Sequence, residues 1–417
     1  MNKCAKRLIA PILILQSVAT YGAALVTDDA SADGDTPAAD ASASTPPAPP
    51  TLLPAMAGPL AINSKPNSYD AGPLGNVYVT GIVSGFAQWQ NNAVPGDRGH
   101  QADVSNAQIF VNKPTGLVQF FVQAGAYSLP DIGTPYIRAG KATQDFYEPF
   151  SQGYLKLAPN DNFSIMAGKL PTLIGAEYTF SFENMNIERG LLWNQENAVN
   201  RGVQVNYTAG PVALSASWND GLYSNVYSWA WLAATWTIDK TDTLAIIGGG
   251  NTKRTTVSSF ATPVFLNNEQ IYNVIYTHTA GAWTIQPYLQ YTHVPSIPQI
   301  GSFHEASTYG AALLANYIFD AKSAIGGLSL NGFSLPIRVE YISSSGSTAN
   351  GAPNLMYGPG SKAWSVTVTP TYQNNIFFAR AEFSYVGAKD TTAGFAFGPA
   401  GNDTSQSRAL LEAGILF

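Results

Sequence analysis

The sequence predicts an all-β fold, a transmembrane antiparallel up-and-down β-barrel of about sixteen strands. Three observations carry that reading: a charge content too low to coat a soluble protein of this size, apolar residues at every second position, and connections that alternate between short and long.

Only 12% of the 417 residues are charged, against roughly 25% in ordinary soluble domains. Aromatic residues make up another 12%, and 38 residues are glycine. Part of the surface is therefore expected to meet lipid. No stretch approaches the roughly 18 consecutive apolar residues of a transmembrane helix; the apolar segment 8–15 is short and broken by Pro11. In hydrocarbon every backbone N–H and C=O needs an internal partner, and a closed barrel provides one without a long apolar run.

Residues 1–24 read as a cleaved secretory signal: Lys3, Lys6 and Arg7, then the apolar segment 8–15, then small residues around Gly22-Ala23-Ala24. The single cysteine, Cys4, falls before the apolar segment, so the mature chain would lack thiols for disulfides or metal sites. Loss of the three basic residues would take the formal charge from −6 to −9. Most of that excess sits in residues 25–74, an Ala/Asp/Ser/Pro-rich stretch with few large apolar side chains, expected to be a disordered periplasmic extension. The remainder, 75–417, is nearly balanced, which argues against a nucleic-acid partner.

Period-two patterning begins at Asn76. In 77–89 the odd positions are apolar or small, as in Val77, Val79, Val83 and Trp89. The same alternation recurs in 203–207 and 283–291, and most clearly in 364–372, where one face reads Ser365, Thr367, Thr369 and Thr371. One face of such a strand suits lipid and the other water. Tight turns are expected at 113–116, 158–161, 208–211, 239–242, 279–282 and 373–375, each rich in turn formers. Longer polar links fall between them at 91–103, 127–151, 171–200, 219–228, 251–270, 294–307, 343–362 and 387–406. Short periplasmic turns and long extracellular loops give this alternation. The link 320–331 is long for a periplasmic turn.

The last strand, 408–417, places Ala409, Leu411, Ala413, Ile415 and Phe417 on one face. It resembles the terminal strand of outer-membrane proteins, whose final aromatic is read by the barrel-assembly machinery; Phe417 is the candidate signal. Trp89, Trp218 and Trp364 fall at inferred extracellular strand ends, and Trp236 and Trp283 at periplasmic ones, as aromatic girdles require.

The segment 168–177 (GKLPTLIGAE), followed by 183–189 (ENMNIER) and 201–205 (RGVQV), resembles the OmpL-like putative β-barrel porin-2 family over residues 75–417. The resemblance implies a Gram-negative outer-membrane porin: a water-filled channel for passive diffusion of small hydrophilic solutes or ions, with no cofactor and no metal. In general porins the third extracellular loop narrows the lumen, so Glu177, Glu183, Glu188 and Arg189 are candidates to face the permeation path. The other reading is that this loop caps the barrel with its charges in water.

Strand parity places Arg338, Glu340, Arg380, Glu382, Arg408 and Glu412 on the lumen face. Rings of like charge would set ion preference, whereas a mutually neutralising wall would not; a simple hairpin register sets Arg380 opposite Glu412. Any arginine without a partner would be the selectivity candidate. Parity also turns Trp229 and Trp231 into the lumen.

The competing readings are an outer-membrane barrel enzyme, such as a phospholipase-like hydrolase, and a structural or adhesin barrel. His100, His278, His293 and His304 are too scattered to suggest a metal site, and no catalytic residues are expected. Expected partners are outer-membrane lipid, lipopolysaccharide and the barrel-assembly machinery, with a homotrimer suggested by analogy with sixteen-stranded porins.

Overall fold

A computed structural model describes residues 51–320, 322–325 and 327–417. The expected signal segment 1–24 and residues 25–50 lie outside the described residues.

Sixteen strands form the barrel. They are β1 (Asn76–Gln90), β2 (His100–Lys113), β3 (Val118–Tyr127), β4 (Phe150–Asn160), β5 (Phe163–Pro171), β6 (Val199–Ala209), β7 (Val212–Asn219) and β8 (Trp229–Thr237). There follow β9 (Asp242–Asn251), β10 (Gln270–Ala280), β11 (Trp283–Val294), β12 (Ala306–Ile318), β13 (Phe333–Ser344), β14 (Lys362–Val368, resumed at Thr371–Asn374), β15 (Phe377–Lys389) and β16 (Ser405–Leu416). Each pairs antiparallel with its neighbours in sequence. The break in β14 falls at Pro370, which has no N–H to give the ladder.

The sheet closes where β16 meets β1, from Ile82 opposite Leu416 to Gln90 opposite Arg408. The seam ends with Phe417 and Gly81 exchanging both backbone hydrogen bonds, at 2.8 and 2.9 Å. A Cβ on residue 81 would stand 2.7 Å from the Phe417 ring, so the seam requires glycine there.

Every expected short turn joins two strands on one rim, and every expected long link lies on the other. The long periplasmic link before β13 folds as a small hairpin, with Ala324 opposite Ser329 and Ile325 opposite Leu328.

The strands present apolar residues outward and polar residues inward, the reverse of a soluble protein. In β13, Val339 and Tyr341 are 44% and 48% exposed, while Arg338 and Glu340, which alternate with them, are 0% and 2% exposed. The five girdle tryptophans point outward at strand ends, and Trp283 and Trp364 pack against Tyr317 and Tyr385 with ring centroids at 4.7 and 5.1 Å.

The extension differs from expectation over its described part. Residues 67–70 add a short strand to β1. Residues 53–61 run into the barrel, where Leu53 exchanges backbone hydrogen bonds with the Asn112 side chain and Ala61 does so with Gln373. Leu60 is buried among Phe110, Phe121, Phe378 and Leu416. A few apolar side chains suffice here because the barrel supplies the other half of the core.

Candidate functional site

Loop 3, between β5 and β6, fills the lumen. Every residue from 172 to 199 except Asn194 is buried, so it folds inward rather than capping the barrel. A loop taken out of water must find partners for its backbone polar groups, and charged side chains of the wall provide them.

On the side formed by β13–β16, wall carboxylates accept from loop N–H groups. Glu340 accepts from Leu191 and Leu192 at 3.0 and 3.2 Å, and from Ser365 Oγ at 2.7 Å. Glu382 accepts from Ile187 and Glu188 at 2.5 and 3.0 Å, and from Thr369 Oγ1 at 2.7 Å.

Wall arginines donate the other way. Arg338 reaches Glu177 Oε1 and the Glu188 carbonyl, each at 2.6 Å, with Glu340 Oε2 3.2 Å from its Nε. Arg380 donates to the Asn184 and Ser181 carbonyls at 3.2 and 3.1 Å, and its Nε donates to Glu412 at 2.9 Å. Arg408 donates to Glu188 Oε1 at 2.6 Å and to the Asp131 carbonyl at 2.8 Å.

Within the loops, Arg189 pairs with Asp131 at 2.6 Å, donates to the Thr179 carbonyl and lies over the Trp193 ring. Gly190 N–H donates to Glu177 at 2.8 Å. Glu183 accepts from Phe180 N–H at 2.9 Å, closing a turn whose carbonyl in turn receives Ala57 N–H from the extension.

Nine of the ten sequence-predicted lumen residues thus meet at one clamp, and the tenth, Glu183, lies in the turn beside it. None of Arg189, Arg338, Arg380 and Arg408 lacks an acidic partner. The selectivity role reserved for an unpaired arginine therefore finds no occupant among them, because loop 3 brings Glu177, Glu188 and backbone carbonyls to the same wall.

Burial governs the titration of the loop carboxyls. It pushes Asp131 up to about 6 against the pull of Arg189, and Glu177 up to about 7, with Arg338 opposing and Glu340 adding to the rise. Glu183, with only the Phe180 N–H and the more distant Arg189 to offset burial, is pushed up to about 8.

The other side of loop 3 faces β8–β11 and is held by neutral contacts: Gly175 N–H donates to Asn273 Oδ1, and Gln290 donates to the Leu192 carbonyl, each at 2.9 Å. Trp229 and Trp231 do point into the lumen, stacked with centroids 5.5 Å apart. Two carboxylates missed by sequence reasoning lie here. Glu196 and Glu269 are 6% and 0% exposed, and none of their four oxygens has a hydrogen-bond partner. Burial raises both carboxyls; Glu177 and Glu340 add to the rise at Glu196, and Glu196 adds to it at Glu269. Nothing in the sequence separates them from other loop carboxylates. Asp220 was also missed: it binds the Arg201 backbone and guanidinium at 2.6 and 2.7 Å and closes the next loop.

Above the clamp, among the extracellular loops, lies a cavity of about 430 Å³ lined by Val94, Pro135, Leu191, Gln195, Tyr357 and Phe395. Two histidines sit on strand ends: His278 contacts Asp242 at 2.8 Å and His293 contacts Ser307 Oγ at 3.1 Å, both through Nδ1.

The barrel is similar to several solved outer-membrane proteins. In-vitro folded OmpT of Vibrio cholerae superposes with TM-score 0.53 at 14% identity, over 83% of this chain and 98% of that one. The anion-selective porin from Comamonas acidovorans gives 0.53 at 12%, over 82% and 99%. The outer membrane channel DcaP of Acinetobacter baumannii gives 0.52 at 11%, over 82% and 97%. These likenesses bear on the fold. No curated protein matches the chain in sequence.

The family model described as "Putative beta-barrel porin-2, OmpL-like" matches residues 76–417, from the first residue of β1 to the closing Phe417. The chain therefore belongs to that family and is a porin of the outer membrane.

Proposed function

We propose that this porin passes small hydrophilic solutes by diffusion through the barrel and favours cations over anions. One observation carries the reading: the arginines of the clamp are all neutralised, whereas Glu196 and Glu269 have no cationic partner. Ionised at a pH above the range to which burial raises them, carboxylates without a cationic partner concentrate ions of opposite sign.

A homotrimer ringed by lipopolysaccharide, with Phe417 as the assembly signal, completes the proposal. Passage is expected to be diffusion without catalysis. The test is the reversal potential of single channels in a planar bilayer under a KCl gradient, paired with swelling of proteoliposomes in sugars. A reversal potential of the cation sign is expected; one of the anion sign, or liposomes that do not swell, overturns the reading.

A further inference from the structure

Residues 51–63 (TLLPAMAGPLAIN) enter the lumen from the end opposite the long loops. Asn112 and Gln373, the two side chains that hold this stretch, stand beside the short turns 113–116 and 373–375, at the periplasmic rim. We infer that residues 51–63 are a releasable strap: docked under loop 3 they keep the channel in a narrow state, and their withdrawal frees loop 3 to move. The strap is independent of the ion preference proposed above.

The sequence of the strap keeps it out of the sheet. Pro54 and Pro59 have no N–H for a ladder, so the wall holds it by side-chain amides that read its backbone. Asn112 accepts from Leu53 N–H at 3.1 Å and donates to the Leu53 carbonyl at 2.8 Å. Gln373 does the same for Ala61, at 2.8 and 2.9 Å. An amide carries both a donor and an acceptor, so each of these side chains stands in for one residue of a neighbouring strand. Between the two fastenings the strap meets loop 3. Ala57 N–H donates to the Glu183 carbonyl at 2.7 Å, while Arg380 takes the Ser181 and Asn184 carbonyls of the same turn at 3.1 and 3.2 Å. The turn is thus gripped by the wall on one side and by the strap on another. Leu53 and Met56 pack against the apolar cluster that includes Phe180 and Phe182 of loop 3, and Ala57 against the one that includes Met185.

The two grips differ in kind. Residues 51–63 carry no charge, so every bond they make is between neutral groups, each of modest worth, whereas Arg380 holds its side through a buried ion pair with Glu412. The one deeply seated side chain of the strap that loop 3 does not also supply is Leu60, 2% exposed. The barrel closes through β16 and β1 without the strap, so release leaves the wall whole. Residues 67–70 remain paired with β1, and the exposed Ser64 and Lys65 lie between that anchor and the strap. A tether this short keeps the free strap at about millimolar effective concentration beside its site, so it can dock again.

Single channels of the full chain and of a variant lacking residues 51–66 are compared in planar bilayers in symmetric KCl, with heat-modifiable gel mobility reporting that each barrel is folded. The deletion variant should hold a steady wider level that the full chain visits only briefly. In full-length L60D the time spent at that level should rise by about tenfold or more, the loss of one buried leucine. A peptide of sequence 51–63, added at about millimolar concentration to the periplasmic side of the deletion variant, should return it to the narrow level; the same peptide with the L60D change should not. A deletion variant with the conductance of the full chain, a folded L60D that dwells no longer at the wide level, or a deletion variant that ignores the unaltered peptide overturns the strap.

Discussion

The two walls that flank loop 3 are both rich in buried polar groups, yet they solve the burial problem differently. On the β13–β16 side each charge meets an opposite charge or a backbone group of the loop, at distances of 2.5–3.2 Å. On the β8–β11 side the fastening is by neutral amides, and two carboxylates are left over. The first arrangement fixes the loop; the second leaves two carboxyls without a partner. A charged residue in a lumen is thus no sign of selectivity until its partners are known.

The sharpest way to break the comparison is Arg380→Met. It strands Glu412 as a buried unpaired carboxylate and removes donors to the Ser181 and Asn184 carbonyls. Loss of one member of a buried pair costs about 3–5 kcal/mol. Urea unfolding should show that loss, and unitary conductance should rise as loop 3 leaves the wall; unchanged values of both would mean the clamp holds nothing.

The same chemical change on the two walls should then act with opposite sign. Glu382→Gln weakens the bonds from Ile187 and Glu188 N–H and should destabilise by about 1.5–3 kcal/mol, the worth of hydrogen bonds to a charged group. Glu196→Gln removes a carboxylate with no partner; its urea midpoint should hold or rise while the KCl reversal potential moves towards zero.

Deletion of residues 51–66 removes the Ala57 contact to loop 3 and the Leu60 packing but leaves the clamp intact. Conductance should rise less than in Arg380→Met, and a larger rise would move the constriction from loop 3 to this segment.

The smallest effect concerns pH. The Glu183 carboxyl is pushed up to about 8 by burial, above its value in an unfolded chain. Docking of its turn is therefore fully stable at low pH and weakens as pH rises through about 8. Open-channel current noise should increase from about pH 5 to about pH 8 and level off above it, and Glu183→Gln should remove the part of that increase between pH 7 and 8.

How much of this was legible follows from sequence distance. The barrel was readable because strand period, turn residues and link lengths are local properties, and Arg380 opposite Glu412 because hairpin register propagates from a short turn. The clamp was not, since Arg338 finds Glu177 across 161 positions and Ile187 finds Glu382 across 195. Residues 53–61 read as solvated because their apolar side chains are sparse, and only the waiting pocket of Phe110, Phe121 and Phe378 makes Leu60 a core residue. Glu196 and Glu269 are set apart by what they lack, which no spacing encodes.

The burial of the clamp also separates two responses to ionic strength. Salt screens charges that water reaches over about 10 Å at 0.1 M and spares pairs sealed from solvent. Arg338 with Glu177 and Arg380 with Glu412 are at most 2% exposed, so brine should not release loop 3. An exposed pair such as Lys362 and Asp390 on the loop rim has no such shelter. In dilute media the channel should discriminate by charge, and in concentrated media by size alone, with its bore unchanged.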